Sequence, residues 1–98
     1  NRGVGKDIPP FSLVAGEPIR WLRINIIGLR RRGFTPEQIR QIEAVYDVLY
    51  SPKLNFSQAI KEIKETFEMT KEVKMIVDFV ENSDRGIVRR MGNRDSEE

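Results

Sequence analysis

Asn25-Ile26-Ile27-Gly28-Leu29-Arg30-Arg31-Arg32-Gly33-Phe34 sets three consecutive arginines between two glycines, directly before the helix-start pair Thr35-Pro36. Ile26, Ile27, Leu29 and Phe34 supply apolar anchors, so the stretch is not a free basic tail. It reads as a short helix that starts after Asn25 and ends at Gly33. An Asn side chain can cap a first turn, and a Gly can close a last one. Successive helical residues are rotated by about 100°. Arg30, Arg31 and Arg32 therefore fan across a wide sector, and at most two of them can converge on one small ligand. Arginine presents a planar fork of donors that matches phosphate. The plainer reading is a solvated basic helix end, where the macrodipole favours each cation by roughly 0.3–1 kcal/mol. Composition alone leans toward that plainer reading.

Downstream of this stretch the chain reads as three amphipathic helices. Thr35-Pro36-Glu37-Gln38 combines a cap, a proline at the first helical position and a capping-box glutamine. The helix it opens should run to about Tyr50, where Ser51-Pro52 ends it. Ile39, Ile42, Val45, Tyr46 and Leu49 recur at spacings of three and four and form its apolar stripe. Asn55 with Gln58 repeats the capping logic for a helix from Phe56 to about Phe67. Its stripe is Phe56, Ala59, Ile60, Ile63 and Phe67, and its charged face (Lys61, Glu62, Lys64, Glu65) is a solvated surface. Thr70 opens a third, to about Asn82, with Val73, Ile76, Val77 and Val80 inward and Phe79 flanking. About fifteen buried aliphatic positions, at roughly 1.5–3 kcal/mol each before entropy, leave such a bundle marginal alone.

Upstream, Asn1–Lys6 has two glycines and no initiator Met, and reads as the middle of a longer chain. Pro9-Pro10 forbids helix. Ser12-Leu13-Val14-Ala15 reads as a short strand and Gly16-Glu17-Pro18 as a turn. Ile19–Ile24 alternates loosely and leads into the arginine stretch. Trp21, the only tryptophan, is expected to pack in the core. From Arg89 onward anchors are few, and residues 89–98 are expected to be a disordered tail.

The chain has 98 residues, 39% hydrophobic and 33% charged, which suits one small domain. No apolar run approaches the roughly 20 residues that cross a bilayer, and no signal-peptide pattern opens the chain. There is no cysteine and no histidine. Disulfides, thiolate sites and the commonest general base and metal ligand are therefore excluded from these residues. The net charge of +2 is uneven: residues 1–40 hold 8 Lys/Arg and 3 Asp/Glu, giving +5, and residues 41–98 hold 9 and 12, giving −3. An anionic partner belongs on the first half. A nucleic-acid domain usually carries a larger, more continuous excess.

Asn25-x-x-Gly28-Leu29-x-Arg31-Arg32-Gly33-Phe34 resembles the C-terminal motif of the UDP-N-acetylglucosamine O-acyltransferases, which open lipid A biosynthesis. The likeness extends from about Gly5 to Arg89 and includes the closing Ser83-x-Arg85-Gly86-Ile87. Asp7–Pro18, with its Pro-Pro pair, resembles the exit coil of hexapeptide-repeat acyltransferases, whose architecture is a left-handed parallel β-helix. That part identifies an architecture and no substrate. A lone coil needs stacked neighbours, so residues 1–18 should be poorly supported unless they pack on the helices. The fold class implied is mainly α: a short helix plus three amphipathic helices following the last coil of a β-helix. Residues 1–18 are the coil remnant, 19–88 the C-terminal helical domain and 89–98 the tail.

The resemblance implies a homotrimeric, cytoplasmic enzyme that moves an (R)-3-hydroxyacyl group from acyl carrier protein to the 3-hydroxyl of UDP-N-acetylglucosamine. It implies no cofactor, metal, nucleic acid or membrane insertion. The family's catalytic histidine belongs to the β-helix, so these residues hold no catalytic group and the chain alone should be inactive. Carried over by position, Asn25 matches a nucleotide-contacting Asn, and Arg31 and Arg32 match the arginines that approach the UDP phosphates. Arg30 is assigned to solvent or a general basic field. Ile27 and Pro18 depart from the family pattern, which places an acidic residue and, in some members, a histidine there. The competing class is a small basic helical module that binds nucleic acid or an anionic membrane surface. A third reading keeps the acyltransferase and changes the nucleotide sugar.

Overall fold

A computed structural model of the chain describes residues 6–84 and 86–91. Upstream of Asn25 the chain folds into an antiparallel hairpin of β1 (Ser12–Ala15) and β2 (Arg20–Ile24). Gly16 sits in the turn with φ +91°, a conformation that glycine adopts without penalty, and the Glu17–Pro18 peptide is cis. Ser12 pairs with Ile24 and Leu13 with Arg23, but Val14 pairs with Trp21, leaving Leu22 as the extra residue of a β-bulge. The bulge breaks the two-residue alternation of the strand. Trp21 and Ile24 can therefore both face the core, at 3% and 1% exposed.

Four helices follow: α1 (Ile26–Arg31), α2 (Pro36–Leu49), α3 (Phe56–Thr66) and α4 (Lys71–Glu81). Each begins where the capping chemistry indicates. Thr35 and Asn55 each form a complete capping box with Gln38 and Gln58, and the Thr70 hydroxyl accepts from the Val73 N–H. The expected stripe of α2 is buried in full: Ile39, Ile42, Val45, Tyr46 and Leu49. In α3, Ala59, Ile60 and Ile63 are buried, while Phe56 remains exposed and stands edge-on to Tyr50 at 6.0 Å. In α4, Val73, Ile76 and Val77 are buried. Lys64–Glu81 ties α3 to α4 on the surface, where such a pair contributes little.

The core is centred on three rings. Trp21 stacks on Tyr46 at 5.3 Å and on Tyr50 at 4.7 Å, as its packing assignment requires, and its indole N–H donates to Ser12 Oγ. Each tyrosine hydroxyl reaches a distant backbone carbonyl: Tyr46 donates to Pro10 at 2.5 Å, and Tyr50 to Val88 at 2.6 Å. Burial pushes both phenols well above their ordinary pKa. The segment before β1 is thus fastened to α2. Pro9 is fully buried, and Phe11 and Val14 pack against the core, whereas Asp7 is bonded to residues 86–88 and the turn at residues 16–18 is exposed.

One expectation needs correction. The disordered tail was to begin at residue 89, yet Arg89–Met91 are bonded to the free edge of β2. The Trp21 N–H donates to the Arg89 carbonyl and the Met91 N–H to the Trp21 carbonyl, both at 2.7 Å. The Arg90 guanidinium lies over the Trp21 ring at 5.4 Å. The physical reason is the free side of β2, whose N–H and C=O groups need partners. A second bridge joins Asp7 to Ile87, so residues 86–91 strap the hairpin side of the molecule. Asn1–Gly5, Arg85 and the rest of the expected tail lie outside the described residues. The observed architecture is mainly α, four helices with one two-stranded sheet.

Candidate functional site

The arginine stretch folds as its caps dictate. Asn25 precedes α1, and its Oδ1 accepts from the Gly28 N–H at 3.1 Å. The other end closes in a Schellman arrangement: the Gly33 N–H donates to the Arg30 carbonyl and the Phe34 N–H to the Leu29 carbonyl. Gly33 has φ +88°, which this closure demands. The turn carries Phe34 back alongside the helix. Its ring meets Phe11 edge-on at 5.9 Å, and the Arg32 guanidinium lies over it with Cζ 5.6 Å from the centroid.

A small groove of about 170 Å³ opens at this corner, lined by Phe11, Ser12, Asn25, Gly28, Leu29 and Arg32. Two of the three expected site residues, Asn25 and Arg32, therefore share one depression. Arg31 is exposed and does not line it; it is the last residue of α1, about 100° around the axis from Arg32. Neither Arg31 nor Arg32 forms an ion pair among the described residues. Both guanidinium groups are open to an anion. Asn25 uses its carboxamide oxygen for the cap, and its amide N–H groups form no hydrogen bond among the described residues. Arg30 is exposed, in line with its assignment to solvent or a general basic field, and Ile27, at 66%, is the most exposed of the large apolar residues described.

Phe11 and Ser12 were not singled out in the sequence as parts of a site. Phe11 is held at φ +63°, unusual for a bulky residue, and its carbonyl accepts the Asn25 N–H at 2.8 Å. No local sequence signal announces that. Phe34 was legible only as an apolar anchor.

The family described as UDP N-acetylglucosamine O-acyltransferase, domain 2, matches residues 7–88. An acyl-[acyl-carrier-protein]–UDP-N-acetylglucosamine O-acyltransferase from Fusobacterium nucleatum is 42% identical over 86 residues, covering 88% of this chain and 34% of the relative. A Sulfurihydrogenibium protein of the same name is 36% identical over 91 residues, 93% of this chain and 34% of the relative. The crystal structure of a UDP-N-acetylglucosamine acyltransferase from Bacteroides fragilis superimposes with a TM-score of 0.82 at 46% identity, over 86% of this chain and 33% of that one. The Francisella novicida enzyme gives 0.80 at 42% identity, over 91% of this chain and 33% of that one. The chain spans about a third of the length of the curated relatives it matches. From the arginine motif to the helix series, this chain belongs to the UDP-N-acetylglucosamine O-acyltransferase family.

Proposed function

We propose that this chain is the nucleotide-sugar-recognising end of an enzyme that transfers an (R)-3-hydroxyacyl group from acyl carrier protein to the 3-hydroxyl of UDP-N-acetylglucosamine. Residues up to 18 close a left-handed β-helix and residues 19–88 form the helical domain that follows it. The complete protein is a cytoplasmic homotrimer in this reading. The observation that carries the proposal is Arg32 in one groove with Asn25, with Arg31 exposed next to it and neither arginine ion-paired among the described residues, in a chain whose relatives are named for this reaction.

The chemistry divides accordingly. Acyl transfer to a hydroxyl needs a base to take its proton. The 98 residues contain no histidine, and the family resemblance puts that base on a histidine of the β-helix. Here Arg32 and Arg31 bind the diphosphate and Asn25 donates from its amide N–H groups. The groove, at about 170 Å³, is small for a nucleotide sugar and suits one phosphate with its neighbouring atoms. The remaining contacts come from outside this chain. Family membership and the acidic second half speak against the nucleic-acid or membrane-surface reading.

A charge-assisted hydrogen bond contributes about 1.5–3 kcal/mol, a factor of roughly ten or more in affinity. Arg31→Ala and Arg32→Ala in the complete protein are each expected to raise KM for UDP-N-acetylglucosamine at least about tenfold. Unchanged KM in both variants would refute the assignment.

A further inference from the structure

We propose that Phe34 is the positioning residue for Arg32, holding its guanidinium at the groove before any phosphate arrives. The inference rests on the nucleotide reading above and adds the device that orients the binding side chain.

Arg32 is exposed, and a free arginine loses much rotamer freedom when a ligand orders it. Here its guanidinium already rests on the Phe34 ring, Cζ 5.6 Å from the centroid. The ring attracts the cation through its π-face, and no hydrogen bond or ion pair among the described residues takes up the five guanidinium N–H donors, so they are left for a phosphate.

The ring is itself fixed from two sides. The Schellman closure at Gly33 sets the backbone of Phe34, through its N–H bond to the Leu29 carbonyl. The edge-on Phe11 ring then braces the Phe34 side chain at 5.9 Å. Phe11 in turn accepts the Asn25 N–H through its carbonyl, so one aromatic pair connects Asn25 and Arg32 at the groove.

The test compares Phe34→Leu and Phe34→Tyr in the complete protein, alone and combined with Arg32→Ala. An exposed cation–π contact corresponds to about two- to fivefold in affinity. Phe34→Leu is expected to raise KM for UDP-N-acetylglucosamine by that factor at unchanged kcat, and Phe34→Tyr to restore it. In the Arg32→Ala background Phe34→Leu should add nothing. A Phe34→Leu variant that leaves KM unchanged while Arg32→Ala raises it would overturn the inference alone. An equal Phe34→Leu effect with and without Arg32 would overturn it too, because the ring would then act through the fold. Arg32→Ala without effect would overturn it as well, by taking Arg32 out of the binding site, and only if Arg31→Ala were also without effect would the nucleotide reading beneath it fall. The unsubstituted protein gives a check that needs no variant: ring current should shift the Arg32 δ-methylene protons upfield in NMR, and ordinary shifts there would contradict the contact.

Discussion

The cap made by Asn25 and its proposed nucleotide contact use different atoms: its Oδ1 caps α1, and the proposed contact is made by its amide N–H groups. Asn25→Asp separates them, because Asp caps a helix as well as Asn does. Melting temperature should hold, while KM for the nucleotide sugar rises roughly tenfold, since a carboxylate replaces a donor beside a diphosphate. An unchanged KM at that unchanged melting temperature would make Asn25 a cap only. Gly28 is constrained by the same side chain. A Cβ there would lie 2.6 Å from Asn25 Nδ2 and 3.1 Å from Oδ1. Ala is favoured over Gly inside a helix by about 1 kcal/mol, but at this position it displaces the cap, which costs about as much. Gly28→Ala is therefore expected to leave stability near the starting value in a melting curve and to raise KM.

At the scale of elements, α1 is only six residues long and is held by its ends. A Cβ on Gly33 would touch nothing within 4 Å, so Gly33→Ala is disfavoured by backbone conformation alone. The left-handed residue costs about 1–2 kcal/mol, and Gly33→Asn should cost less. Urea unfolding of the three proteins checks the order Gly, Asn, Ala. The helices were legible because their start signals are local. Thr35 with Gln38 and Asn55 with Gln58 bond within one turn, and both boxes form as the sequence indicates. The bulge at Leu22 was not legible. It exists because Trp21 must reach Tyr46 and Tyr50, residues more than twenty positions away. Phe34 shows the same limit at the site: its apolar character is visible in the motif, whereas its place under Arg32 depends on the Gly33 turn and on Phe11.

For the whole molecule, long-range hydrogen bonds join the ends of the described chain to the helices. Tyr46 holds Pro10 and Tyr50 holds Val88. Tyr50→Phe leaves a buried carbonyl without its partner and should cost about 1–3 kcal/mol, read as a lower denaturant midpoint. Both phenols are raised above their ordinary value of 10.0 by burial. In the unfolded chain they ionise near that value, so the folded state binds more protons above it. Their stabilising effect is complete below pH 10 and is lost as pH rises further. Alkaline titration of the fold should show this loss, and Tyr46→Phe with Tyr50→Phe should flatten it. The strap at residues 86–91 could not be anticipated from its few apolar residues, because its partners are the open backbone groups of β2 and Asp7. The arginine corner is proposed to receive the diphosphate of UDP-N-acetylglucosamine. A crystal structure of the complete protein with UDP-N-acetylglucosamine tests it most directly: the diphosphate should lie within about 3.2 Å of Arg31 or Arg32 donors, beside Asn25, and a nucleotide bound away from that corner, with both guanidinium groups still facing solvent, would contradict it.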